Sequence, residues 1–225
     1  MSVSNSNFDL IIFDCDGVLV DSERVANAVF ARILKEVCNL EFTLEQMFEH
    51  FVGCSQAQCL KTVEAMTGRP PPPELAMRYK ADINQALIDS VVAVNGIEKV
   101  LQKIDIPYCV ASSGSHEKMQ LTLGKTGLYD YFNGNIFSSS EVARGKPHPD
   151  IYIHAAQSMG VDDMGKCLVI EDSPVGVTGA VAAGMKVFAY AELIPEEKLL
   201  AAGAHRAFKK MSLLPSLTVE ASALL

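Results

Sequence analysis

Four short apolar runs, at residues 8–13, 107–111, 167–170 and 186–190, constrain this chain most. Each suits a strand covered on both faces, because none shows the apolar–polar alternation of a sheet with one wet side. Between them, residues 96–103, 116–124, 149–159 and 174–183 carry apolar side chains at helical spacing. Pro149 and Pro174 stand where a first helical turn tolerates proline, and Gly184 stands where a helix stops. Strands alternating with helices predict a parallel, doubly wound α/β sheet.

The interval 19–94 breaks this rhythm. Val25, Ala28, Val29, Ala31, Ile33 and Leu34 recur at helical spacing, and helices are further expected over 45–51, 55–66 and 74–88. The run Pro70–Pro73 is excluded from a helix interior and reads as a stiff connector. The expected organisation is therefore a core of residues 1–18 and 95–225, with 19–94 as a helical insert.

With 49% apolar and 20% charged residues the chain is globular rather than disordered. Its net charge of −8 repels phosphate backbones, which speaks against a nucleic-acid partner. No apolar run reaches the roughly 18 residues that would span a bilayer. The short polar start lacks the basic and apolar regions of a secretory signal. The six cysteines form no Cys-x-x-Cys pair, so reduced thiols in a cytoplasmic protein are expected rather than a disulfide framework or a zinc site.

Ligands of open α/β sheets bind beyond the carboxyl ends of the strands. Here three of the runs end in polar clusters: Asp14-Cys15-Asp16-Gly17, Ser112-Ser113-Gly114 and Glu171-Asp172-Ser173. Lys146, in Gly145-Lys146-Pro147, precedes a predicted helix and can reach the same edge. Four carboxylates in one cleft repel each other, and a divalent cation would offset that repulsion. Magnesium suits such hard oxygen donors, with Asp14, Asp172 and the Asp16 carbonyl as natural ligands. Lys146, the Ser112 hydroxyl and the backbone N–H groups near Ser113 and Gly114 would then surround a single anion. Asp14 is placed to attack phosphorus and become an aspartyl phosphate, and Asp16 to move a proton to the leaving alcohol and later from water.

The order of these motifs resembles the haloacid dehalogenase superfamily. Phe13-Asp14-Cys15-Asp16-Gly17-Val18-Leu19-Val20-Asp21-Ser22 looks like its first motif, Ser112 its second, Lys146 its third and Glu171-Asp172-Ser173 its fourth. The resemblance implies a Rossmann-like parallel sheet core with an inserted helical cap. It also implies Asp14 as nucleophile and Asp16 as acid and base. Magnesium would be held by Asp14, Asp16, Asp172 and, directly or through water, Glu171. The phosphoryl group would be held by Ser112, Ser113 and Lys146. The branch it resembles is that of the β-phosphoglucomutases and sugar-phosphate phosphatases, most of all the phosphatases of 6-phosphogluconate. Gly53, Ser55 and Gln56 fall in the cap loop where such enzymes select substrate.

Two departures favour hydrolysis over mutation. The mutases carry an arginine where Gln56 stands and Lys-Asn where Ser115-His116 stand, so two grips on a second phosphate are missing here. The expected protein is a magnesium-dependent phosphatase, a monomer acting on a small phosphorylated sugar or sugar acid, with a hexose-phosphate mutase as the alternative. A phospho-accepting signalling module is a second alternative, but such receiver domains place their acceptor after a later strand. Cys15 reads as packing, because acidic neighbours disfavour its thiolate. His116 reads as a helix residue or a substrate contact, His148 and His154 as loop and helix-surface residues, and the chain from Leu213 as packing on the core.

Overall fold

The computed structural model describes residues 7–54 and 56–222. Six strands form one sheet: β1 (Leu10–Phe13), β2 (Tyr108–Ser112), β3 (Ile136–Ser138), β4 (Cys167–Glu171), β5 (Lys186–Tyr190) and β6 (Arg206–Phe208). All pairings are parallel, in the order β3-β2-β1-β4-β5-β6. β1 lies in the middle, and its four side chains are fully buried, as an apolar strand with helices on both faces requires. Phe13 pairs with Val110 of β2 and Ile170 of β4, so the polar residues that follow these strands emerge along one sheet edge.

The helices are α1 (Ser22–Cys38), α2 (Leu44–Phe51), α3 (Gln56–Thr67), α4 (Pro73–Ser90), α5 (Ile97–Leu101), α6 (His116–Lys125), α7 (Asp150–Ser158), α8 (Pro174–Ala182), α9 (Glu196–Ala201) and α10 (Leu214–Ser222). Among the described residues, three of the starts are capped by side chains. Thr43 and Gln46 form a capping box at α2, Ser115 accepts the Lys118 N–H at α6, and Ser173 accepts from Gly176 ahead of Pro174 at α8. Pro149 sits one position earlier than expected, at the cap of α7 rather than inside its first turn.

The chain divides into two compact units, Met1–Val20 with Ala93–Leu225, and Asp21–Val92. Within the first, Val20 and Ala93 pair as an antiparallel bridge where the chain leaves and returns. The second unit holds α1 to α4 around its own core of Val29, Ile33, Leu34, Met47, Phe51, Val63 and Leu75. The Phe30 ring meets Phe51 and Tyr79 edge-on at 5.2 and 5.7 Å. Of the four prolines, Pro72 caps α4 and Pro73 opens it.

Two strands, β3 and β6, and two helices, α9 and α10, were not expected. β3 and β6 are three residues each, too short to raise an apolar signal of their own, and they flank the sheet as its outer strands. α9 is six residues opening on Glu196 and Glu197. The C-terminal segment packs in part, with Met211 and Leu214 buried while Leu213 is exposed.

Candidate active site

The site is built where β1 and β4 end side by side. Asp14 follows β1, its N–H donating to the Ile170 carbonyl of β4 at 2.9 Å. Lys146, delivered by the loop before α7, reaches in and donates to Asp14 Oδ1 and to Glu171 Oε1, each at 2.7 Å. The lysine side chain is only 5% exposed, so both bonds are charge-assisted in a dry setting. Its Nζ also stands 5.0 Å over the Tyr152 ring of α7.

Glu171 is fully buried and surrounded by donors. Oε1 accepts from Lys146 and from the Tyr152 hydroxyl at 2.8 Å. Oε2 accepts from the Asp172 N–H, the Ser173 N–H and the Ser173 hydroxyl, all at 3.0 Å. This crowding is possible because Gly176 has no side chain, since a Cβ there would fall 1.8 Å from Oε1. Burial alone would raise the Glu171 carboxyl, but the charge and hydrogen bonds of Lys146 bring it below its usual range.

Asp14 behaves oppositely. Burial pushes its carboxyl up to about 7, Lys146 pulls against this, and the charges of Glu171 and Asp16 add to the rise. Burial pulls the Lys146 ammonium down, but the charges of Asp14, Glu171 and Tyr152 hold it well above its ordinary value. Cys15 points into the core, where burial and then Asp16 and Asp14 push its thiol well up; it is a packing residue.

One oxygen from each of Asp14, Glu171 and Asp172 lies within 4.8 Å of the others, a set that could hold a metal ion. Gly17 lets Asp172 come this near. It adopts φ +77, and a Cβ there would sit 1.9 Å from Asp172 Oδ2. All-oxygen carboxylate donors fit a hard divalent cation. The acidic ends of β1 and β4 thus meet as expected, although Asp14 and Asp172 lie far apart in the chain.

Ser112, at the end of β2, is buried and its Oγ accepts the Gly114 N–H at 3.0 Å, while Ser113 is exposed. The loop is tied to β3 and its following turn: Ser138 Oγ donates to the Gly114 carbonyl at 2.8 Å and Ser139 Oγ to the Ser112 carbonyl at 3.1 Å. His116 meets Glu141 at 2.8 Å, a carboxylate it shares with His154 at 3.1 Å, and His148 is an exposed loop residue. In the helical unit, Gly53 turns the chain after α2 with φ +72 and Gln56 opens α3. Gln56 lines a cavity of about 160 Å³ there with Glu23, Asn27, Phe30 and Tyr79. Ser55 lies outside the described residues.

Two residues of this edge escaped the sequence. Tyr152 occupies an apolar-face position of α7, where the pattern reports only a core ring and hides the hydroxyl. Lys118, one turn into α6, donates to both oxygens of Asp16 at 2.8 and 2.7 Å. A basic residue four positions after the Gly114 of a strand-end loop, in an acidic chain, was the available signal.

A parallel sheet with this acidic edge defines a hydrolase of the haloacid dehalogenase type. The chain belongs to that family: the model for haloacid dehalogenase-like hydrolases matches residues 8–184. The 6-phosphogluconate phosphatase of Escherichia coli is 30% identical over 213 residues, 94% of this chain and 95% of that one. A haloacid dehalogenase-like protein from Agrobacterium tumefaciens superposes with a TM-score of 0.88 at 35% identity, over 96% of this chain and 99% of that one. A family hydrolase from Deinococcus radiodurans, solved with bound phosphate and sodium, gives 0.83 at 30% identity over 98% of each chain. The enzyme is a phosphatase of this family. No helix among the described residues is long and apolar enough to cross a membrane.

Proposed function

We propose that the protein hydrolyses a small phosphorylated sugar or sugar acid, with 6-phosphogluconate as the type, through a phosphorylated Asp14 and with magnesium as cofactor. The observation that carries this reading is the buried Lys146 ammonium, bonded at 2.7 Å to both Asp14 and Glu171 beside Asp172. Lys146 favours the ionised, attacking form of Asp14 and offers its remaining proton to a phosphoryl oxygen. An Asp14 oxygen bonds to phosphorus as the ester P–O bond breaks, and Asp16 gives its proton to the departing alkoxide. Asp16 then takes a proton from water, whose oxygen displaces Asp14 and releases inorganic phosphate. Ser112 and the N–H groups of the Ser113 loop hold the phosphoryl oxygens throughout. Asp14, Asp172, the Asp16 carbonyl and Glu171 would hold the magnesium ion, which when bound stabilises charge on the transferring group.

Hydrolysis is preferred to phosphoryl transfer between two positions of a sugar because Gln56 and Ser115-His116 provide no second phosphate grip, and His116 is engaged by Glu141. We assign substrate selection to Gly53, Ser55 and Gln56 of the helical insert, which serves as a cap. Six cysteines without a disulfide suit a reducing, cytoplasmic setting. A screen of phosphorylated metabolites with magnesium tests the reading. Sugar and sugar-acid phosphates should release inorganic phosphate at the highest kcat/KM. Isomerised sugar phosphate without net phosphate release would contradict it.

A further inference from the structure

Lys118 lies outside the motifs that define the family site, yet its ammonium is bonded to the carboxylate assigned the proton transfers. We infer that Lys118 is a positioning residue that fixes where the Asp16 carboxyl stands, and so sets how well the enzyme expels a poor leaving group. The inference rests on the phosphatase reading above.

The geometry is specific. Nζ lies 2.8 Å from Asp16 Oδ1 and 2.7 Å from Oδ2, so the ammonium sits between the two carboxylate oxygens. Asp16 is 20% exposed and Lys118 35%, and the pair spans the loop after β1 and the first turn of α6. That turn is itself anchored. The Lys118 N–H donates to the Ser115 cap at 3.3 Å and its carbonyl accepts from Thr122 Oγ1 at 3.0 Å. The stem crosses Gly114, where a Cβ would lie 3.5 Å from Lys118 Cδ, 3.4 Å from Ser112 Oγ and 3.7 Å from Asp16 Oδ2. These are ordinary contact distances, so the lysine stem passes closely over Gly114 on its way to Asp16, next to the serine assigned to the phosphoryl group.

Charge explains why a second lysine is needed. Lys146 is committed to Asp14 and Glu171. Lys118→Met would remove the ammonium that bridges both Asp16 oxygens and offsets the repulsion of Asp14, and the carboxyl would be held less firmly at the phosphoryl-transfer line. The pair holds the ionised Asp16 at that line before substrate arrives, and Asp16 becomes the acid by taking the proton that the monoester monoanion brings, which it then passes to the departing alkoxide.

The test compares two esters: an alkyl phosphate taken from the screen, whose alkoxide cannot leave without a proton, and p-nitrophenyl phosphate, whose phenolate can. Because kcat/KM stops at the first irreversible step, it reports formation of the Asp14 intermediate alone. Lys118→Met keeps the stem and removes the charge. It should lower kcat/KM for the alkyl ester by about tenfold or more and for the aryl ester by less than about threefold. Lys118→Arg should restore most of the alkyl activity. In an Asp16→Asn background, Lys118→Met should change neither ester further. Should Lys118→Met not fold, Lys118→Gln is read by the same ratio. Equal losses on both esters, or no loss on either, would overturn the positioning role. Failure of the unsubstituted enzyme to hydrolyse either ester would instead overturn the phosphatase reading itself.

Discussion

Asp14 is held by opposing forces, and the balance sets its chemistry. Burial pushes its carboxyl up to about 7 while Lys146 draws the charged form back. An aspartate so placed is ionised over part of the neutral range and carries little hydration to shed before attack. Gly17 shows how strictly the neighbouring geometry is drawn, because both its positive φ and its empty side-chain position are used. Gly17→Ala should displace Asp172 and weaken divalent-cation affinity by about tenfold or more, as changes beside metal ligands do. It should also destabilise the fold by about 1–3 kcal/mol through backbone strain. Calorimetric titration with magnesium and thermal melting read the two effects. Unchanged affinity would mean that Asp172 does not hold the ion.

At the scale of elements, the site depends on strand ends and helix starts meeting. Ser173 serves both, capping α8 through Gly176 and donating to Glu171 through its hydroxyl. Ser173→Ala should therefore cost more than an ordinary cap, about 2 kcal/mol against the usual ~1. Urea unfolding measures this, and a loss of only a few tenths would show that Glu171 does not depend on it. The same double role explains what could be read in advance. β1, β2, β4 and β5 announced themselves because both faces of each are buried, and the acidic or hydroxyl ends of β1, β2 and β4 followed directly. β3 and β6 did not, since three residues carry no periodicity. Asp14, Ser112 and Asp172 were legible because strand ends in a parallel sheet share an edge, and Lys146 because Gly145-Lys146-Pro147 stands just ahead of a helix that returns to it. Lys118 and Tyr152 were not, because each reaches the site by a side-chain direction on a helix, which spacing alone does not fix.

At the scale of the whole molecule, an acidic protein must gather an anionic substrate. Asp14, Asp16, Glu171 and Asp172 gather with the ammonium groups of Lys146 and Lys118, and Asp14, Glu171 and Asp172 are the carboxylates a divalent cation would meet. This couples metal binding to pH. In the metal-free fold Asp14 holds its proton up to about 7, whereas the unfolded group ionises near 3.8. Stability from this group is therefore complete below the lower value and lost as pH rises through the upper one. Metal binding requires the ionised form, so affinity should rise about tenfold per pH unit below about 7 and level off above it. Titrations across that range test the sign, and an affinity independent of pH would contradict it. The most direct test of the central claim is acid quenching during turnover of the best substrate with magnesium, followed by mass spectrometry of the peptide containing Asp14. The account predicts one phosphoryl group on Asp14, and neither adduct nor turnover in Asp14→Asn. A phosphoryl group on another residue, or sustained hydrolysis by Asp14→Asn, would contradict it.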